Sequence, residues 1–458
     1  MNPRSLLPLL VPCLGCLPSP PSLPGQTSTE SGTTNTSTAT SVEPTDSGPA
    51  SGTTEVGGEG SGGSTTEGTG VDSTDGGDTT GQQDFCGRPE AIFIFDDPEL
   101  FPVGDDPGVL AVGPFIGNDD DPDIAVVNGD NLGSRVDILR GQGILSGFIS
   151  EEPIPMTEGA HGAAVGNFDG SPTHELAVLG RHEWRIYGPD PDSSNSLLLR
   201  ATGSLGRDRG FSMAAVELLG DDADELVIAG GVTDDALGWV DVIQQPISGP
   251  MGLRTLIAAG QDSARVAVGD FNGDTSLDLV LPNTDPAGML ESHFIDVVFN
   301  ESTPGAPSFQ RLSMPSNGAP WGVAAMDLDG DGFDDFVVGH TGGGLSDKDP
   351  LPPLQLFFGD GEGGFTETTL AHTSIQTAVE VADLDCDGDL DIITGGTGEL
   401  VLWRADGPGN FDPTNTDSLV VDSHLISDIA VADFDLNGRP DIVASLIDEG
   451  DVVYFEAD

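Results

Sequence analysis

Beyond residue 85 the chain is a succession of short apolar runs separated by acidic, glycine-rich turns, a pattern that favours β-strands over helices. One arrangement recurs. It is clearest in VAVGDFNGDTSLDLVLPN (266–283), VAAMDLDGDGFDDFVVGH (323–340), VEVADLDCDGDLDIITGG (379–396) and IAVADFDLNGRPDIVASL (429–446). Weaker copies stand at LAVGPFIGNDDDPDIAVVNG (110–129), AAVGNFDGSPTHELAVLG (163–180) and AAVELLGDDADELVIAGG (214–231). The acid that opens the second apolar run falls at Asp123, Glu175, Glu225, Asp278, Asp335, Asp391 and Asp441, with successive spacings of 52, 50, 53, 57, 56 and 50 residues.

Seven copies at a period near 50 imply stacked units, each too small to bury its own apolar face. Each copy carries signals for four strands; in the sixth these are TAVEVAD, DIITGG, ELVLWRAD and SLVVD. The predicted fold is therefore all-β, a seven-bladed β-propeller of four-stranded blades over residues 85–458, whose closed ring leaves few free strand edges. An open solenoid is the alternative, and it would need capping repeats. The last copy ends on GDVVYFEAD, which matches a third strand. Its fourth strand is expected from AIFIFDDPELF (91–101), which would close the ring.

Charge narrows the partners. With 77 acidic against 15 basic residues the formal charge is −62, which argues against nucleic acid or an anionic membrane surface and for cations. Residues 1–16, MNPRSLLPLLVPCLGC, read as an export signal with Arg4 ahead of a short apolar stretch and Gly15 before Cys16. The end resembles a lipoprotein cleavage box, with Cys13 where that pattern prefers Leu. A lipid-anchored product, a freely secreted one and an untargeted terminus stay open as readings, and membrane association is expected only through such an anchor. Residues 17–84 are nearly all Ser, Thr, Gly, Pro, Asp and Glu, too poor in apolar groups to offset the entropy of ordering. A disordered tether spanning roughly 40–50 Å is predicted there.

The four clear copies place carboxylate or amide oxygens at positions 1, 3, 5 and 9 of one turn. The sets are Asp270, Asn272, Asp274 and Asp278; Asp327, Asp329, Asp331 and Asp335; Asp383, Asp385, Asp387 and Asp391; and Asp433, Asp435, Asn437 and Asp441. With a backbone carbonyl from position 7 (Ser276, Phe333, Asp389 and Arg439), each set makes a hard oxygen cage suited to Ca²⁺, whereas Mg²⁺ would keep more water. An EF-hand is excluded, because loop position 12 holds Leu281, Val338, Thr394 and Ala444 instead of a bidentate Glu, and the flanks are strand-like. The motif D-x-[DN]-x-[DN]-G-x-x-D between two short strands resembles the FG-GAP/VCBS repeats of integrin α-subunit propellers and of secreted bacterial proteins, over residues 85–458. One departure is Gly273 ahead of Asp274 in the first of the four. The resemblance implies Ca²⁺ in the turn between first and second strands of some blades, about four sites here. In the eroded copies, where Asn167, Asp169, Ser171 and Glu175 form the second turn and Leu219 interrupts the third, no metal is predicted.

No catalytic constellation stands out among the seven histidines, and no G-x-S-x-G elbow occurs. The chain is read as non-enzymatic, a monomeric binding or adhesion module for an extracellular protein or glycan, at the cell surface or secreted. A polysaccharide lyase on a calcium-bearing propeller is the alternative. The candidate ligand face is the one opposite the turns, with His161, Arg181, His182, Arg207, Arg209, Arg265, Trp321, His340, Lys348 and His424. If the signal removes Cys13 and Cys16 is lipidated, Cys86 and Cys386 remain, and a disulfide between them is expected.

Overall fold

The computed structural model describes residues 95–457 apart from short internal stretches, of which 284–292 and 343–350 are the longest. The expected export signal (1–16) and tether (17–84) lie outside the described residues. The described residues form 28 strands and a single 3-10 turn, Gly143–Leu145. No helix among them is long and apolar enough to cross a membrane.

The continuous apolar runs that open each repeat's second strand have a simple cause: both of their faces are buried. In Asp123–Asn128, Ile124 and Val126 enter one core while Ala125 and Val127 enter another. In Glu225–Gly231, Leu226 and Ile228 divide from Val227 and Ala229 in the same way. Side chains alternate across a strand, so a sheet sandwiched between two neighbours needs apolar residues at successive positions. Each core is shared between adjacent repeats. The core of Leu110, Ile124, Val126, Leu139 and Phe148 is completed by Ala432, Phe434, Val443, Val452 and Tyr454, so the seventh repeat packs on the first.

Within a repeat the strands pair antiparallel in chain order, as in Ala160–Gly166, Glu175–Gly180, Glu183–Asp190 and Ser193–Ser204. The sixth and seventh repeats merge, because the strand Phe411–Ala432 is the outer strand of one and the inner strand of the other. Its first half pairs Thr397–Ala405 and its second half pairs Asp441–Leu446. The N-terminal strand Glu99–Pro102 pairs Asp451–Phe455, with Glu99 opposite Tyr454 and Pro102 opposite Asp451. Phe95 adds a bridge to Ala457.

Seven inner segments, one from each repeat, line a central cavity of about 830 Å³. They are dominated by small residues, such as Ala163, Ala164, Ala214 and Ala215, because sheets that radiate from an axis crowd at its centre. A Cβ on Gly166 would lie 2.4 Å from that of Ala215, so only glycine permits this approach between the second and third repeats. The architecture is a β-propeller.

Candidate metal centre

The acidic turns link each inner strand to the next strand out. In the fifth repeat the Asp327 carboxylate accepts the amides of Asp331 (3.1 Å) and Gly332 (2.9 Å). Oδ1 of Asp329 also accepts the Asp331 amide at 3.2 Å, and Oδ1 of Asp331 accepts that of Phe333 at 3.0 Å. The seventh repeat repeats the pattern, with Asp433 accepting from Asn437 and Gly438, Asp435 from Asn437, and Asn437 from Arg439. Short carboxylates holding amides a few residues on are what bends the chain here. The bend also needs left-handed backbone at positions 4 and 6. Gly332, Gly388 and Gly438 supply φ of 93°, 94° and 87° at position 6, whereas Cys386 and Leu436 adopt 61° and 59° at position 4 against the preference of their side chains.

This folding gathers oxygen donors. In three turns, Asp327 with Asp329 and Asp335, Asp383 with Asp385 and Asp391, and Asp433 with Asp435 and Asp441, one carboxylate oxygen from each residue lies within 4.8 Å of the others. Such an all-oxygen donor set fits Ca²⁺. Burial, aided by mutual repulsion, pushes up the carboxyls of Asp329, Asp383 and Asp433, and that of Asp385 to about 6. Each turn concentrates more negative charge than its surroundings compensate, and a cation would relieve it.

The fourth expected turn behaves differently. Asp270 accepts amides from Gly273, Asp274 and Thr275, and Thr275 takes the left-handed place that glycine holds elsewhere, at φ 70°. With the amide Asn272 at position 3, this turn brings no three carboxylates together among the described residues. Asp270 is instead tied to the next repeat: its amide donates to Asp334 at 2.6 Å, and the Asp334 amide donates to its carbonyl at 3.1 Å. Asn167 and Asp224 make the same exchange between the second and third repeats.

The ninth residue of the turn has a role that its reading as a metal ligand did not include. Asp335 Oδ2 accepts the Leu328 amide at 2.9 Å while Oδ1 accepts the Gly359 amide, at the end of the third strand, at 2.7 Å. Asp123, Asp278, Asp391 and Asp441 bridge in the same way, to Gly141, Asn300, Ala405 and Ala457 on the strand side. Glu175 and Glu225 hold the turn amides of Phe168 and Leu218. All seven acids are buried. Burial pushes Asp123, Glu175, Asp278, Asp335 and Asp441 up to about 7 and Asp391 to about 8, against the opposing pull of the backbone donors. The acid fastens the turn to the sheet whether or not a cation is present. Its persistence in the eroded copies was the signal in the sequence.

The residues expected on the opposite face are placed unevenly. Trp321 is exposed, at 39% of its surface. His161, Arg181, His182, Arg209 and His424 are half-buried, with His424 Nδ1 3.7 Å from Glu449. Arg265 points across the central cavity to the seventh repeat, where its guanidinium meets Asp428 at 3.0 Å and the Ser427 carbonyl at 2.9 Å. His340 is buried, its Nε2 3.0 Å from both Ser316 and Gln355, and burial pushes it down to about 4. Arg207 and Lys348 lie outside the described residues. Cys386 is disulfide-bonded, and Cys86 lies outside the described residues.

Comparison with known proteins bears on the sixth and seventh repeats first: residues 383–444 match the FG-GAP-like repeat. No curated protein shows significant similarity to the sequence. Among solved structures, the crystal structure of BBS1N in complex with ARL6DN, soaked with mercury, aligns with a TM-score of 0.53 at 12% identity, over 80% of this chain and 97% of that one. The lead-soaked crystal of the same complex gives 0.52 at 11% identity, with the same coverage. Identity this low speaks to fold alone. Fold and repeat together describe a β-propeller in which residues 383–444 form an FG-GAP-like repeat.

Proposed function

We propose that the protein is a Ca²⁺-stabilised, seven-bladed, non-enzymatic binding module whose ligand face lies opposite the acidic turns. The observation that carries the metal half is the convergence of three carboxylates within 4.8 Å in each of three turns. There Asp327, Asp329 and Asp335, Asp383, Asp385 and Asp391, and Asp433, Asp435 and Asp441 would hold the ion, with Asp331, Asp387 and Asn437 completing each set from position 5. The ion would supply charge neutralisation and rigidity, not chemistry on a substrate.

Support for the ligand half is the exposed Trp321 with the half-buried Arg181, His182 and Arg209, cationic and aromatic groups on an otherwise acidic chain. A protein or a glycan would suit such a face. The BBS1N structure is itself of a protein complex, which is in keeping with a protein ligand. Export through residues 1–16 and display on the tether 17–84 belong to the proposal on sequence composition alone.

Thermal melting with and without a chelator tests the first half: a melting curve indifferent to EDTA sinks it. Screening the full chain on glycan arrays and against extracellular proteins tests the second. Binding there should be lost in Trp321→Ala, and a ligand that ignores this substitution binds somewhere else.

A further inference from the structure

The sixth turn departs from the fifth and seventh in one contact. In those two turns Oδ1 of the position 3 acid, Asp329 or Asp435, accepts the amide of position 5 at 3.2 and 3.0 Å. Asn272 does the same in the fourth turn, at 3.0 Å. In the sixth turn the Asp387 amide goes to Asp383. Oδ1 of Asp385 accepts no hydrogen bond although the residue is only 4% exposed. The other oxygen, Oδ2, faces the Arg404 guanidinium, with Nε at 3.4 Å. Arg404 also reaches the exposed Asp417, through NH2 at 3.4 Å.

Arg404 directly precedes the residue whose amide binds the ninth acid, Ala405. The same place holds Phe358 in the fifth repeat and Glu456 in the seventh. At the sixth triad, then, an arginine from the third strand stands within ion-pair distance of one of the three carboxylates. Like charges within a few ångströms repel, and the effect is strong where burial limits screening.

We propose that Arg404 is an internal competitor of the divalent cation at the sixth turn, pairing with Asp385 and making this the weakest of the three cation sites. Turns five and seven fill first as Ca²⁺ rises, and the sixth is the one whose occupancy varies with concentration. The Asp385 oxygen left without a donor is the group that the arriving ion takes. The inference rests on the reading of these turns as Ca²⁺ sites.

Calcium titration of the full chain by calorimetry tests it, with the sixth-turn step identified as the one lost in Asp383→Ala, which removes a carboxylate of the triad. Arg404→Gln should tighten that step roughly tenfold and enlarge the rise in melting temperature that Ca²⁺ produces. Asp417→Asn, at an exposed site, should do the opposite by removing a carboxylate that shares the guanidinium with Asp385, weakening the step about threefold. This second variant keeps the test decisive if Arg404→Gln fails to fold. No saturable Ca²⁺ binding by the wild type overturns the underlying metal reading. Wild-type binding with a sixth step that is unmoved by either variant, or already the tightest, overturns the role of Arg404 alone.

Discussion

The first three repeats and the last three are built of the same antiparallel strands and differ in a turn. Both sets keep the buried acid that closes the turn, Asp123, Glu175 and Glu225 in one and Asp335, Asp391 and Asp441 in the other. Among the described residues, only the last three surround it with further carboxylates close enough to share an ion. Fastening the turn to the sheet and collecting a cation are therefore separate tasks. The first needs one acid with two oxygens placed between backbone amides; the second needs an excess of charge that the backbone cannot neutralise.

Removing the cation should break the comparison most forcefully. Chelation should destabilise the protein by about 2.7 kcal/mol for each site that was at hundredfold excess over its Kd, up to roughly 8 kcal/mol for three independent sites. Calorimetric melting in Ca²⁺ and in EDTA measures it, and no shift would mean that the two sets of repeats do not differ in function. Next in size is the closing acid. Glu175→Ala in the second repeat should cost roughly 1–3 kcal/mol with or without Ca²⁺, because a buried amide loses its acceptor. Asp335→Ala strands three amides, and should cost more in Ca²⁺ than in EDTA. Denaturant unfolding would report both.

Asp329→Asn should remove the cation contribution of one turn, about 2–3 kcal/mol in Ca²⁺ and little in EDTA. Asp169→Asn, at the corresponding place in the second repeat, should leave the Ca²⁺ response unchanged. The smallest effect is that of pH. The closing acids Asp123, Glu175 and Asp335 are held up at about 7 in the fold, above ordinary values of 3.8 for Asp and 4.5 for Glu. Without Ca²⁺ these groups bind more protons in the folded state than in the unfolded chain between these values, so their contribution to stability is greatest below about pH 4 and declines as pH rises through 7. Ca²⁺ should cancel the decline in turns five to seven and leave the share from Asp123 and Glu175. Melting temperatures from pH 4.5 to 8 in both conditions would separate the two, and a Glu175→Gln variant that keeps its full decline would assign that share elsewhere.

Much of this contrast was legible before any coordinates. Alternate carboxylates at 327–335, 383–391 and 433–441 specify their turns locally, because each side chain holds amides two to five residues away. The turn at 270–278 has nearly the same letters, yet Asn272 and Thr275 leave it without a carboxylate triad. Asp123, Glu175 and Glu225 were marked in the sequence only by their spacing, and the fold makes them buried fasteners.

The opposite face was less legible, and for a different reason. His340 and Arg265 look alike in sequence, polar residues beside strands, but one is sealed under Ser316 and Gln355 and the other crosses the cavity to Asp428, 163 residues away. Periodicity determined the number of repeats, the strands and the acid-bearing turns, because each depends on neighbours within one turn or one hairpin. The sequence also anticipated a closing strand from 91–101, but tertiary structure alone decided its register, Glu99 opposite Tyr454, the side chains that join the seventh repeat to the first, and that Arg404 sits against Asp385. Those contacts depend on where the sheets bring distant side chains, and a local pattern carries no record of that distance.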